Sequence, residues 1–164
     1  MSIRYLPEHV EIVLLTLDLV EHEASYLAYT HQHLFEQPID LEWINQLALK
    51  PELAEKIDAF GARFGRLQDT LGEKLLPRFA ALLGEKPKSL LDVLAYAERM
   101  NWINSAEDFI AARRLRNRLI HEYITDPSLF LEALQTAKQA TLDMFAIVNR
   151  LRYEAEQLKP ESAA

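Results

Sequence analysis

The chain has 164 residues, of which 49% are apolar, with four glycines, no cysteine and a formal net charge of −7 at pH 7. That length suits one domain with a real core, the scarcity of glycine favours helices over a turn-rich β fold, and the missing thiols exclude disulfides and zinc–thiolate sites and suit a reducing cytoplasm. The acidic balance argues against broad, non-specific nucleic-acid binding while leaving room for a local basic site.

Pro7 opens the first helix at a position where its missing N–H costs nothing. Met1–His9 lacks the charged-then-apolar layout of a signal peptide. From Val10 to about His33 the pattern is helical, with Val13, Leu14, Leu17, Val20, Ala24, Leu27 and Ala28 on one broad stripe. His31 and His33 are two apart and so point in different directions on a helix, the wrong spacing for a metal pair. His9 and His22 read as surface or satisfied interior residues. Pro38 closes the region, and Asp40 is placed to cap a short helix from Leu41 to Leu49.

Pro51 starts a long helix to about Leu83, with Leu53, Ile57, Phe60, Phe64, Leu67, Leu71 and Leu75 spaced by alternating fours and threes, the seam of a bundle. Gly61, Gly65 and Gly72 each cost roughly 1 kcal/mol in a helix relative to alanine. Gly61 and Gly65, four apart, form a low ridge that Asp69 continues, and another helix can approach closely there. Pro77 is expected to kink the end of this helix. The stretch from Gly84 to Ser89 is the clearest linker; it lacks the spacing of a phosphate-binding loop. Ser89 with Asp92, then Ser105 with Asp108, look like capping boxes for two further helices. Thr125-Asp126-Pro127 is a break and restart, and the last helix runs to about Leu158. The tail from Lys159 has nothing to bury and is expected to fray. No segment has enough uninterrupted apolar residues to span a bilayer. The expectation is an all-α, antiparallel, up-and-down bundle of about five or six helices, forming a single domain over residues 1–158.

The chemistry concentrates in Arg113-Arg114-Leu115-Arg116-Asn117-Arg118-Leu119-Ile120-His121-Glu122-Tyr123. On one helix, Phe109, Ala112, Leu119, Ile120 and Tyr123 share a face, and Arg116 lands near the middle of that apolar arc. An arginine there must be paired or must line a cleft, because an unpaired buried charge is very costly. The motif helix is expected to cross the glycine ridge with Asp69 or Glu73 facing Arg116. The bland alternative is that both acids are solvated and pair with Arg66 or Lys74. The run of arginines has its own bland reading, a solvated face salt-bridged to nearby acids.

The string Arg116-Asn117-(three residues)-His121, extended by Tyr123, resembles the Arg-x4–6-His motif of HEPN-domain proteins, and in its Arg-x4-His-x-Tyr form the motif of HepT-type toxins. Those toxins pair with a minimal nucleotidyltransferase antitoxin. The motif covers eight residues, and the helix layout extends the resemblance to most of the chain, which is somewhat longer than compact members. The resemblance implies a homodimer with a composite site between subunits, in which Arg116 and His121 act on RNA as a metal-independent endoribonuclease without a cofactor.

Such a set suits cleavage by the RNA's own 2′-hydroxyl. Histidine moves the proton and arginine stabilises charge on the phosphate. Asn117 is placed to orient the histidine or a phosphate oxygen, and Arg113, Arg114 and Arg118 to hold the backbone electrostatically. Tyr123 is either an apolar ring packed beside Leu119 or, as the resemblance implies, the acceptor of AMP groups from the partner nucleotidyltransferase. Two rivals stand beside this reading. One is a non-catalytic nucleotide-binding or substrate-binding partner subunit of a nucleotidyltransferase. The other is a helical interaction protein whose arginine bridges subunits.

Overall fold

A computed structural model describes residues 5–158, with the side chains of residues 120–124 left out of the description. Every regular element among the described residues is helical. A 3₁₀ turn at Pro7–His9 leads into α1 (Val10–Leu34); α2 (Leu41–Asn45) and a second 3₁₀ turn (Leu47–Leu49) follow. Next come α3 (Pro51–Thr70), a π-helical turn (Leu71–Leu75) and α4 (Leu76–Leu82), continuous in the chain. α5 (Leu90–Arg99), α6 (Ala106–Thr125) and α7 (Pro127–Glu156) complete the fold. With Pro51–Leu82 taken as one long helix, the described residues form six.

Local chemistry sets the boundaries. The Asp40 carboxylate accepts from the Trp43 amide, and the Ser89 and Ser105 hydroxyls accept from Asp92 and Asp108. Asp126 accepts from both Ser128 and Leu129, so α7 restarts one residue after α6 ends. At the other end of the helices, Gly84 (φ 87°) follows α4 and Asn101 (φ 60°) follows α5. These are left-handed positions that glycine and asparagine tolerate best.

The Leu71–Leu75 turn is the one departure from regular α-helix inside the long helix. Pro77 has no N–H for the Glu73 carbonyl, and in a regular α-helix its ring crowds that carbonyl. The expected kink site is therefore occupied, a few residues upstream of the proline, by a π turn in which the Leu76 N–H donates to Leu71 five residues back.

Side-chain contacts give the directions. Thr70 donates to Glu23, Arg63 to Thr30 and Arg78 to Thr16, so α3–α4 runs antiparallel to α1. Arg152 meets Glu21 while His31 meets Lys138, so α7 is antiparallel to α1 as well. α6 packs on both α3 and α7. Four long helices thus enclose the core, with α1 and α6 diagonal and α3 and α7 between them. Phe60, Phe64, Leu67, Leu71, Leu94, Phe130, Leu134 and Leu151 are fully buried, in one cluster that runs from Val13 to Leu158. This is the all-α antiparallel bundle expected from the periodicity.

One position differs from the stripe read in α1: Ala28 is exposed rather than buried. In α7 Leu142 points outward at 46% exposure while Thr141 is buried. Thr141 can be buried because its hydroxyl donates to the Ala137 carbonyl in the preceding turn. The expected frayed tail from Lys159 lies outside the described residues. No described helix is long and apolar enough to cross a membrane.

Candidate functional site

The motif helix crosses α3 on the glycine ridge. A Cβ built on Gly65 would come within 3.1 Å of the Arg116 guanidinium, and one on Gly72 within 3.4 Å of Arg113 and Phe109. A methyl group at Gly65 would press on the guanidinium, and one at Gly72 would come within 3.3 Å of Leu90, so the missing side chains ease the close approach. Gly61 has nothing within 4 Å of such a Cβ, so it lies beyond the crossing.

Asp69 of α3 and Glu73 of the π turn meet the two arginines that face them. Arg116 Nη1 donates to Asp69 Oδ1 at 2.5 Å, a charge-assisted bond. Arg113 Nη2 donates to Glu73 Oε1 at 3.0 Å and stands 3.9 Å from Asp69. Of the alternatives open in the sequence, Asp69 therefore faces Arg116 and Glu73 takes Arg113. Arg113 Nη1 is buried against Gly72 without a hydrogen-bond partner among the described residues. The Arg116–Asp69 pair is about one-third exposed on each side. This is a partly exposed pair, screened by solvent, rather than one sealed in the core.

The four arginines divide by helical period. Arg113 and Arg116 turn toward α3 and are paired. Arg114 and Arg118 are exposed and form no ion pair with any described residue. They line a groove of about 450 Å³ between α6 and α7, with Ala111, Leu115, Thr136 and Gln139. Asp108 and Asp143 line it too, and continue into an adjoining pocket of about 440 Å³ beside Trp102, Phe109, Met144 and Arg150. Reading the sequence missed this groove, having taken Asp108 only as a cap. Its signal is the row of small residues at 111, 112 and 140, which leaves open the space that larger side chains would fill.

Asn117 is exposed on the solvent side of α6. His121 and Tyr123 fall within the bounds of α6, but their side chains lie outside the described residues. Because α6 continues to Thr125, positions 116 and 121 are about 140° apart around one axis and about 7.5 Å apart along it. Among the described residues no three histidines or acids group to hold a metal ion.

Burial shifts two groups elsewhere. His31 packs among Phe35, Phe60 and Phe145, and burial holds its imidazole below the ordinary histidine range, against the opposing effect of its Nε2–H donating to the Lys138 carbonyl. Glu23 is pushed above the ordinary carboxylate range by burial, opposed by the bond from Thr70 and the charges of Arg66 and Lys74. Neither pairs with an arginine of α6. Against protein-family models, curated proteins and solved structures, the chain has no match.

Proposed function

We propose that the chain is a HepT-like, HEPN-type toxin: a metal-independent endoribonuclease acting as a homodimer and neutralised by a nucleotidyltransferase partner. The observation that carries this reading is the fixed presentation of Arg116. The residue that opens the Arg-x4-His-x-Tyr motif sits partly exposed where α6 crosses α3, over Gly65 and held by Asp69 through one nitrogen. A guanidinium has five N–H donors in a rigid fork. With Asp69 taking one, most remain for a phosphate.

In the proposed reaction His121 takes the proton from an RNA 2′-hydroxyl. The 2′-oxygen attacks the adjacent phosphorus, the bond to the 5′-oxygen breaks, and that oxygen leaves with a proton given up by the histidine imidazolium, which restores the neutral base. The products are a 2′,3′-cyclic phosphate and a 5′-hydroxyl. Arg116 offsets charge on the non-bridging oxygens. Arg114 and Arg118, free of ion pairs with described residues, attract the RNA backbone along the α6–α7 groove. The separation of positions 116 and 121 around α6 supports a composite site, in which the arginine of one subunit works with the histidine of its two-fold mate. Tyr123, two residues from His121, is the proposed AMP acceptor, and an added phosphate there competes with RNA for the same cations.

The test is RNA cleavage by purified protein in the presence of a chelator. Cleavage with cyclic-phosphate ends, reduced at least about a hundredfold in both Arg116→Ala and His121→Ala, is the expected result. Undiminished cleavage in His121→Ala overturns the mechanism, and equal AMP transfer to Tyr123→Phe overturns the acceptor assignment.

A further inference from the structure

The outer face of α1 carries a second apolar pattern, independent of the core. Ile12, Leu15, Leu19, Tyr26 and Tyr29 recur by threes and fours, with His22 and His33 completing the series. All seven are exposed, Leu15 at 60% and Tyr29 at 63%. The opposite side of α1 buries Val13, Leu17, Val20 and Leu27 in the core. The outer seven occupy successive a and d positions over three heptads, the length and spacing of a two-stranded coiled-coil seam. Polar residues at single a or d positions, as at 22 and 33, fix register and strand number at a cost in stability.

The two edges of this stripe differ in their balance of charge: beside α1 on the α3–α4 side Arg63, Arg66, Lys74 and Arg78 outnumber Glu23, and on the other side Glu11, Asp18 and Glu21 outnumber Arg152, which pairs with Glu21. Along the α3–α4 side, Arg78 reaches Thr16, while Arg63 reaches Thr30 and lies over the Tyr26 ring at 5.6 Å. Along the other side Glu11 and Asp18 border an apolar depression that Tyr5, Val10, Leu14 and Leu158 extend beyond the seam. Two copies packed face to face in parallel, about a two-fold along the helix, set the acidic edge of each against the basic edge of the other. Arg78 then stands level with the partner copy's acidic edge. The antiparallel arrangement sets basic edge on basic edge and brings Arg78 toward the second copy's Arg63.

We infer that α1 is a self-association face on which a second copy of this chain docks in parallel, its Ile12–Leu15–Leu19 stripe on the same stripe. The face lies diagonally across the bundle from α6 and does not compete with a contact made by the motif helix. Where both contacts form, the chains join into an assembly larger than a dimer.

The 164-residue sequence has no cysteine, so single cysteines report the geometry cleanly. Leu15→Cys and Tyr29→Cys, each alone, are expected to give disulfide-linked dimers under mild oxidation, because a parallel two-fold brings each position onto itself. Leu15→Glu with Leu19→Glu is expected to halve the mass found by sedimentation while leaving helical circular dichroism unchanged. A mixture of the two cysteine variants that cross-links only between unlike positions overturns the parallel geometry. An unchanged mass in the glutamate variant, or a wild-type chain monomeric at micromolar concentration, overturns the second copy as occupant and leaves the face to another protein's helix. Arg116→Ala and His121→Ala must leave the cross-links intact, which separates this proposal from the ribonuclease reading.

Discussion

The two sides of α3 are built on different physics. One side carries Phe60, Phe64 and Leu67, all at 0% exposure, with Phe60 stacked on Phe64 and edge-on to Phe35. The other side, continued into the π turn, carries Gly65, Asp69, Gly72 and Glu73, and receives the arginines of α6. The first side holds the bundle together by apolar area and close packing, which any well-shaped hydrophobe partly satisfies. The second contributes less to stability, because its ion pairs are partly exposed. What it supplies is position: glycine lets the guanidinium come near, and a carboxylate fixes where it stops.

That contrast can be broken from either side. The largest expected effect is on the apolar one. Phe64→Ala should destabilise the fold by about 3–5 kcal/mol, read as a fall in the denaturant midpoint. Asp69→Asn should cost only about 1 kcal/mol in the same measurement, the scale of a partly exposed pair. If the ribonuclease reading holds, it should still lower RNA cleavage roughly ten- to a hundredfold, because a displaced guanidinium no longer meets the phosphate. Equal stability losses in Phe64→Ala and Asp69→Asn would erase the distinction.

Glycine substitutions sharpen it. Gly61→Ala has open space for its methyl group and should stabilise the chain by up to about 1 kcal/mol through helix propensity. Gly65→Ala gains the same propensity but pushes the Arg116 guanidinium, so its net effect on the thermal midpoint should be near zero or negative. A stabilised Gly65→Ala with full cleavage activity would show that the close approach is dispensable.

The smallest effect is a pH slope from the apolar side. His31 binds its proton less readily folded than unfolded, so its contribution is complete above the ordinary histidine value of about 6.5 and is lost as pH falls through the lower folded value. His31→Phe should flatten the loss of stability on mild acidification. Glu23 runs the other way. Raised in the folded state, its contribution is complete below the ordinary glutamate value and is lost as pH rises through the folded one. Glu23→Gln should remove that opposing slope, and titrating the thermal midpoint of both variants separates the two signs.

Much of this was legible in the sequence because helix ends are local. Asp40, Ser89, Ser105 and Asp126 each bond an amide two or three residues away, so a window of a few residues contains the whole cause. The meeting of α3 with α6 was legible for a related reason. Helix-disfavoring glycines need an explanation, and the ridge of Gly61 and Gly65 continued by Asp69 gave one, although the crossing uses Gly65 and Gly72 and leaves Gly61 open. The division of Asp69 to Arg116 and Glu73 to Arg113 was not, since it depends on the axial offset of two helices. The outer seam of α1 was hidden by its own neighbours: apolar residues from Ile12 to Leu15 satisfy the inner and outer stripes together, and the inner one alone accounts for a helix. The π turn was invisible because Pro77 announces a disturbance without saying which backbone pattern absorbs it.

That π turn also bears on how the chain tolerates changes of length. A π turn closes its hydrogen-bonded ring over one residue more than an α turn, so Leu71–Leu75 holds a residue that a regular helix would not need. Removing a residue elsewhere in the long helix rotates everything beyond it by about 100° and turns core positions outward. Removing exposed Lys74 instead lets the turn tighten to regular α-helix with both flanks in phase, provided Pro77 is also replaced. Length variants of this protein that lack one residue here should therefore lack the proline too, and insertion and proline should come and go as a pair.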